Sequence, residues 1–261
     1  MFTSNPFAEL SLSLSPLAIQ IYVAVMIFLV VGGTLVDMIH KRSAKYFFAN
    51  WRNAQDKATH QVGGGEILSL AVQTGVVEVM TSAEFCSARR RISHLFTMYG
   101  FLIYVATTVV MVFGYPTPAT PTTTVLPLLW CIGALMVCLG GYGFWFFIRV
   151  DVAAEGNSPF RIMRADLFIL SLLASVSLGL IWAYLPVAGS AWSHLLLGLY
   201  VIATTLLFGA IPWSKFSHMF FKPAAALQKR VENANGSRGN LPAPADKPET
   251  FGSARQLPRH Y

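Results

Sequence analysis

The hydrophobic pattern of the chain is dominated by five long apolar runs separated by polar segments. They cover Leu17–Val36, His94–Phe113, Leu126–Phe147, Leu167–Leu185 and Leu195–Trp213. A helix needs roughly 20 residues to cross a hydrocarbon core of about 30 Å. The pattern therefore predicts an all-α membrane protein with five transmembrane helices.

These runs divide the chain into three parts. We predict an external N-terminal segment at 1–16, a five-helix membrane domain at 17–223 and a flexible basic cytoplasmic tail at 224–261. The membrane domain contains one large cytoplasmic loop at 37–93. The tail is rich in Asn, Gly, Ser, Pro and scattered charges, a composition that cannot bury enough apolar surface to fold alone.

The basic residues predict the orientation. Of the 19 Lys and Arg residues, eight lie in the 37–93 loop, three between residues 148 and 166, and eight after Trp213. The N-terminal segment and the two remaining loops contain none. Because Lys and Arg concentrate in cytoplasmic loops, the N-terminus is predicted outside and the C-terminus in the cytoplasm of a bacterial inner membrane.

Composition narrows the function classes. Hydrophobic residues make up 54% of the chain and charged residues 12%, against about 25% charged residues in soluble domains. The net charge of +7 is explained by the basic residues that set the orientation in the membrane. It does not indicate nucleic-acid binding, because the sequence predicts no soluble basic domain. Cys86, Cys131 and Cys138 are too few and too scattered for a zinc site or an iron–sulfur cluster.

Two histidines carry the candidate chemistry. His94 follows Arg89–Arg91 at the start of the second run, and His218 follows the end of the fifth, so antiparallel helices place both at the cytoplasmic boundary. A haem b needs two imidazoles on opposite faces of its iron, in apolar surroundings close to basic groups. The pair therefore predicts a haem iron bound by His94 and His218. The alternative is that both are interfacial histidines without a ligand.

The residues around these histidines resemble a known family. Ser-His-Leu-Phe-Thr-Met-Tyr-Gly-Phe at 93–101 and Ile-Pro-Trp-Ser-Lys-Phe-Ser-His at 211–218 are similar to membrane cytochrome b subunits of the respiratory nitrate reductase gamma type. Relatives of that type include the membrane part of the quinone-interacting membrane-bound oxidoreductase complex and the membrane protein found with dissimilatory adenylylsulfate (APS) reductase. Cys86, followed by arginine and then His94, is similar to the quinone-interacting complex. The resemblance covers Glu84 to about Pro223 and implies a nitrate reductase gamma-like bundle.

The resemblance also implies which haem is bound. Such subunits typically carry two haems, and the second pair of ligands would fall at Tyr104 and Tyr200. Both deeper ligands are absent while His94 and His218 remain, which favours one cytoplasmic-side haem b. A haem-free anchor that keeps both histidines for another purpose stays open. His194 lies at the opposite face with no partner at its depth.

The leading functional hypothesis is an electron-transfer subunit and membrane anchor. By resemblance, the chain would link a cytoplasmic iron–sulfur flavoprotein, APS reductase of dissimilatory sulfur metabolism, to membrane quinone. It would have no catalytic residues of its own and would act as part of a quinone-linked respiratory oxidoreductase. The alternatives are a haem-free membrane anchor or scaffold, and a small integral membrane transporter. The spans hold no Asp, Glu, Lys or Arg at mid-depth, which argues against an ion carrier.

Overall fold

The computed structural model describes residues 3–83, 85, 87–149, 162, 166–184, 191–214, 218–239 and 241. Within these ranges the regular structure is helical, without strands, so the prediction of an all-α protein is confirmed for them. The α-helices are, in chain order, α1 (Pro6–Leu10), α2 (Pro16–His40), α3 (Ser43–Asp56), α4 (Gly64–Gln73), α5 (Ala88–Gly114), α6 (Val125–Gly143), α7 (Leu167–Tyr184), α8 (Ala191–Ala210) and α9 (His218–Ala234). A π-helical stretch extends α4 through Thr74–Met80 and another extends α6 through Phe144–Ile148.

Four helical segments in the described ranges are long and apolar enough to cross a membrane. They are Pro16–His40, Ala88–Gly114, Val125–Ile148 and Trp192–Trp213. The predicted fourth span corresponds to α7, which is apolar but shorter, and its predicted last residue, Leu185, lies outside the described ranges. The helices are consistent with a membrane protein, while the count of five spans is not confirmed.

The helix ends follow local chemistry. Asn5 caps α1 because its side-chain oxygen accepts hydrogen bonds from the backbone amides of Phe7 at 3.0 Å and Ala8 at 3.3 Å. The Asn5 amide also donates to the backbone carbonyl of Tyr115 at 3.1 Å, which ties the N-terminal segment to the loop after α5. At the other end of the bundle, α8 gives way to a 3₁₀ turn at Ile211–Trp213, since Pro212 has no N–H to continue the α-helical pattern.

The chain forms two compact units. The first contains Met1–Asp37 and Ile92–Ser217, and the second contains Met38–Arg91 and His218–Tyr261. We call them the membrane unit and the peripheral unit, and each is described by itself. All candidate spanning helices lie wholly or mainly in the membrane unit.

Small residues bring α5 and α6 together in the membrane unit. A Cβ atom added to Gly100 would lie 2.7 Å from the Gly133 carbonyl oxygen, and one added to Gly140 would lie 2.6 Å from the Ser93 carbonyl oxygen. The Ser93 hydroxyl donates a hydrogen bond to the Gly140 carbonyl across the same contact. Glycines at a crossing let two backbones approach closely, as is common between membrane helices.

Around this crossing lies a fully buried apolar core. Met111 of α5, Trp130 of α6, Leu172 and Val176 of α7 and Leu207 of α8 are each at most 1% exposed. The outer faces of the helices are also apolar and are largely exposed, for example Phe28 at 73% and Leu139 at 67%. An exposed apolar exterior around a tight core is what a lipid environment requires.

In the peripheral unit, α9 packs against α3, α4 and the π-helical stretch after α4. The Arg230 guanidinium donates to the Glu78 carboxylate at 2.9 Å. Asn235, fully buried, accepts backbone hydrogen bonds from Thr59 at 2.9 Å and His60 at 3.2 Å through its carbonyl oxygen. Residues 224–234 of the predicted tail therefore belong to a packed helix, and residues 242–261 lie outside the described ranges.

Candidate functional site

The two predicted ligands lie near the starts of two different helices. His94 is half-buried in the second turn of α5, and His218 is the first residue of α9, although its side chain is outside the description. They belong to different units, so their pairing stays a prediction. His194, the third histidine considered, is exposed near the start of α8.

Tyr104 and Tyr200 meet in the centre of the membrane unit. Their hydroxyl oxygens are 2.8 Å apart, and both residues are buried. These are the positions where the resemblance would place the ligands of a deeper haem. Two hydroxyls in hydrogen-bond contact leave no space for a porphyrin between them, so a deeper haem does not fit this site.

Aromatic rings continue outward on both sides of this tyrosine pair. Trp130 stacks on Tyr104 with ring centroids 5.0 Å apart, and Trp182 stacks on Tyr200 at 5.8 Å. Phe7 from α1 contacts both tryptophans, edge-on to Trp130 at 5.9 Å and tilted against Trp182 at 6.1 Å. The five rings make a rigid cluster that joins α1, α5, α6, α7 and α8, because such pairs add directional attraction to their apolar burial.

Hydroxyl groups near the cluster are paired within the protein. Thr108 donates to the Tyr104 carbonyl at 2.7 Å and lies 2.9 Å from the Trp130 indole nitrogen, which donates to it. Ser175 and Thr204 hydrogen-bond to each other at 2.8 Å. Buried polar groups need such partners, and here they are supplied by neighbouring helices.

A cavity of about 180 Å³ opens beside the tyrosine pair within the membrane unit. Its walls come from α1, the start of α2, α5, α7 and α8, and include Tyr22, Tyr104, Trp182 and Tyr200. None of the described lining residues is Lys, Arg, His, Asp, Glu or Cys. The cavity can therefore hold an apolar group, and the polar side chains among its described lining residues are tyrosines and threonines.

Comparison with known proteins identifies the family. The family model for citrate utilization protein B matches residues 28–239, from the middle of α2 to just beyond α9. The chain belongs to the citrate utilization protein B family. Citrate utilization protein B of Escherichia coli is 28% identical over 163 residues, which are 60% of this chain and 41% of the Escherichia coli protein. The match thus spans about two-fifths of that relative's length, and no solved structure matches the chain significantly.

Membership of this family corrects the identification made from sequence. The chain is not the APS reductase membrane anchor, and the resemblance to nitrate reductase gamma and quinone-interacting subunits does not give its family. The predicted electron transport, sulfur metabolism and iron–sulfur flavoprotein partner are wrong for the same reason. The alternatives of a haem-free anchor and a transporter gain no support from the family either.

The reason for the error lies in the motifs. They were two short stretches at helix ends, where aromatic, basic, proline and histidine residues are common in membrane proteins of many kinds. Membership of the family therefore does not support electron transport through a haem. No contact or comparison tests His94 and His218 as ligands of an iron, and the haem b and quinone assignments stay predictions.

The residues that the sequence analysis missed are Phe7, Tyr22, Trp130 and Trp182. Phe7 was assigned to an external segment, yet it is only 6% exposed because it fits between the two tryptophans. One signal was available: Asn5-Pro6 is a helix start, and apolar Phe7 follows it directly. That signal predicts α1, but not the partner of its aromatic ring.

Proposed function

We propose that this chain is a membrane component of citrate utilization in the bacterial inner membrane. The supporting observation is the family match, which covers residues 28–239 and so includes the second half of α2 and all of α5, α6, α7 and α8. The Escherichia coli relative is named for citrate utilization. Since the alignment covers 41% of that relative, a role of the remaining part is not transferred to this chain.

The cavity beside the tyrosine pair is not where citrate would bind. Citrate carries several carboxylates, and a buried carboxylate needs charged or N–H donors to replace its water. The described lining residues supply no positive charge, and their hydroxyls are already paired. The proposed role in citrate utilization therefore does not include citrate binding inside the membrane unit's cavity.

Deleting the gene is expected to abolish growth on citrate as the sole carbon source. The physical reason is that a membrane component cannot be replaced by soluble parts of the same process. Growth on glucose should be unchanged, and a plasmid copy of the full chain should restore growth on citrate. Growth curves of the three strains on both carbon sources measure this, and normal growth of the deletion strain on citrate would refute the proposal.

The proposed arrangement has five spans, with the N-terminus outside and the C-terminus in the cytoplasm. Two observations support it. With five spans, all 19 basic residues fall in segments on the cytoplasmic side of the membrane, and α7 is apolar. If α7 does not cross, four spans remain and both termini lie on the same side.

Reporter fusions distinguish the two arrangements. A reporter enzyme that works only in the cytoplasm should be active when it is fused after Tyr261. A reporter enzyme that works only outside the membrane should be active when it is inserted at Thr120. A fusion at the first residue of the chain should report the outside. If both termini report the same side, α7 does not span the membrane and the proposed count is wrong.

The histidine prediction can be tested optically. If His94 and His218 bind a haem b iron, the reduced protein shows a single b-type band that His94→Ala and His218→Ala both remove, while His194→Ala retains it. The imidazoles are the only groups that the prediction assigns to the iron, so removing either should suffice. A reduced spectrum without any such band would end the prediction.

A further inference from the structure

Helix α2 packs loosely against the rest of the membrane unit. Of its 25 residues, only Met26 and Asp37 are buried. Two of its side chains donate hydrogen bonds to other helices: the Gln20 amide donates to the Val112 carbonyl at 3.2 Å, and the Tyr22 hydroxyl donates to the Val201 carbonyl at 3.1 Å. Tyr22 and Val201 also line the 180 Å³ cavity, so α2 forms one wall of it without filling it.

The hydroxyl groups of the described lining residues are hydrogen-bonded within the protein. The hydroxyls of Tyr104 and Tyr200 bind each other, and that of Thr204 binds Ser175. The Tyr22 hydroxyl contacts Thr205 at 3.0 Å in addition to the Val201 carbonyl. Apolar cavities of about 150 Å³ stay dry and take up apolar molecules. The ligand suited to this cavity is therefore apolar throughout.

The shape of the cavity favours an elongated ligand. Its lining residues on α2 run from Ala18 to Ile27, which corresponds to about 14 Å along the helix axis. That length is close to one leaflet, or half of a hydrocarbon core of about 30 Å. The lining residues Leu14 and Ile27 are 46% and 43% exposed, so the cavity reaches the apolar surface of the unit.

We propose that this cavity binds one acyl chain of a membrane phospholipid, whose headgroup stays outside the protein. The inference rests on the proposed membrane location but not on the role in citrate utilization. An acyl chain matches the apolar walls, the length of about one leaflet and the access from the lipid-facing surface. A second protein helix, about 10 Å across, is too wide for this space.

The bound chain would also complete the packing of α2. It lies between Tyr22 and Val23 on one side and Val105 and Val109 of α5 on the other. Without an occupant, the atoms lining a void lose their contact partners on that side. We infer that the phospholipid is a structural ligand, retained through purification rather than exchanged freely with bulk lipid.

Native mass spectrometry of the full chain in mild detergent tests the proposal. The wild-type protein is expected to retain one species with the mass of a phospholipid. Val109→Phe should lower the retained fraction about tenfold, because its ring occupies space that the acyl chain needs. Val110→Phe is the matched control: it makes the same change one residue further along α5, at a position that is 45% exposed and outside the cavity, and should retain the lipid.

Three outcomes would overturn the proposal. They are the absence of a retained lipid in the wild-type protein, equal retention by Val109→Phe and the wild type, and a retained mass that belongs to an isoprenoid or another non-phospholipid molecule. If the wild-type protein fractionates with membranes and shows one of these outcomes, the acyl-chain site is wrong while the membrane location stands.

A second measurement does not depend on a cavity-filling variant. Trp182 lines the cavity, and bromine atoms on an acyl chain quench nearby indole fluorescence. Protein freed of its own lipid in strong detergent and then reconstituted in phosphatidylcholine brominated along one chain should lose more fluorescence than Trp182→Phe treated in the same way. The difference should persist when the vesicles are diluted with an excess of unbrominated lipid after reconstitution. If dilution restores the fluorescence of Trp182 at once, no chain is retained in the cavity.

Discussion

Replacing Arg149 with methionine is expected to lower the free energy of unfolding of the membrane unit by about 3–5 kcal/mol, the usual cost of breaking a buried ion pair. Arg149 follows the π-helical extension of α6, and its Nε donates to Asp166 Oδ1 at 3.1 Å. Its Nη2 contacts the second carboxylate oxygen, so the pair is bidentate. The two side chains are only 7% and 15% exposed.

The geometry explains why the loss is large. Arg149 also lies with its Cζ 4.0 Å from the centre of the Trp145 ring, so its guanidinium contacts an aromatic ring as well as the carboxylate. Asp166 directly precedes α7, and the pair thus joins the end of α6 to the start of α7. Methionine retains the apolar stem but leaves the Asp166 carboxylate without its bidentate partner in a place with little water.

A double variant separates the pair from the packing around it. Arg149→Met combined with Asp166→Leu should recover most of the lost stability, because replacing both charges with apolar groups is often neutral. Arg52→Met, at an exposed position of the peripheral unit, is a control for the loss of an arginine outside the pair and should change the stability of the membrane unit by less than about 0.5 kcal/mol. SDS titration of the protein in mixed micelles measures all three variants. A single variant as stable as the wild type would show that the pair contributes nothing.

The positions of the long helices could be predicted because hydropathy is summed over many residues. The first predicted span, Leu17–Val36, lies within α2 at Pro16–His40, and the third, Leu126–Phe147, lies within the helix that runs from Val125 to Ile148. Each apolar run is long enough that a few polar residues do not change the result. The all-α class could be predicted for the same reason.

Helix ends were less predictable. The second span was placed from His94, but α5 begins at Ala88 and includes all three arginines. Arginine is a good helix former, so its charge marks where hydrocarbon contact ends, not where backbone hydrogen bonding ends. Hydropathy reports the membrane boundary, whereas helix starts depend on local backbone chemistry.

The centre of the membrane unit could be predicted only in part. The resemblance singled out Tyr104 and Tyr200 only as the positions of absent haem ligands, whereas the structure brings their hydroxyls to 2.8 Å. The cavity beside them could not be predicted, because its walls come from five helices and its shape depends on how loosely α2 packs. A pattern along one chain segment does not contain such distances between segments.

The family could not be recognised from two short motifs. Both motifs combine aromatic and basic residues with a histidine at a membrane boundary, where physical demands alone favour these residue types. The match that shows the family extends over residues 28–239 and includes the lipid-facing positions as well. A resemblance limited to residues at helix ends is therefore weak evidence for a shared function, even when those residues could bind a cofactor.

Replacing Gly133 with alanine is expected to destabilise the membrane unit by about 1–3 kcal/mol, although alanine is the better helix former. A Cβ atom at this position would lie 2.8 Å from the Tyr104 backbone nitrogen and 2.9 Å from the Gly100 carbonyl oxygen. Both are backbone atoms of α5, which cannot rotate away as a side chain could. The α5–α6 crossing would have to open, and Tyr104 would move with it.

Gly143→Ala is the matched control for this prediction, because Gly143 lies on the same helix and a Cβ there would meet nothing within 4 Å. At that position the intrinsic preference for alanine should dominate and raise stability by up to about 1 kcal/mol. SDS titration in mixed micelles compares the two variants directly, since they make the same chemical change ten residues apart. If Gly133→Ala proves as stable as Gly143→Ala, the backbones of α5 and α6 are not in close contact at Gly133, and the prediction is wrong.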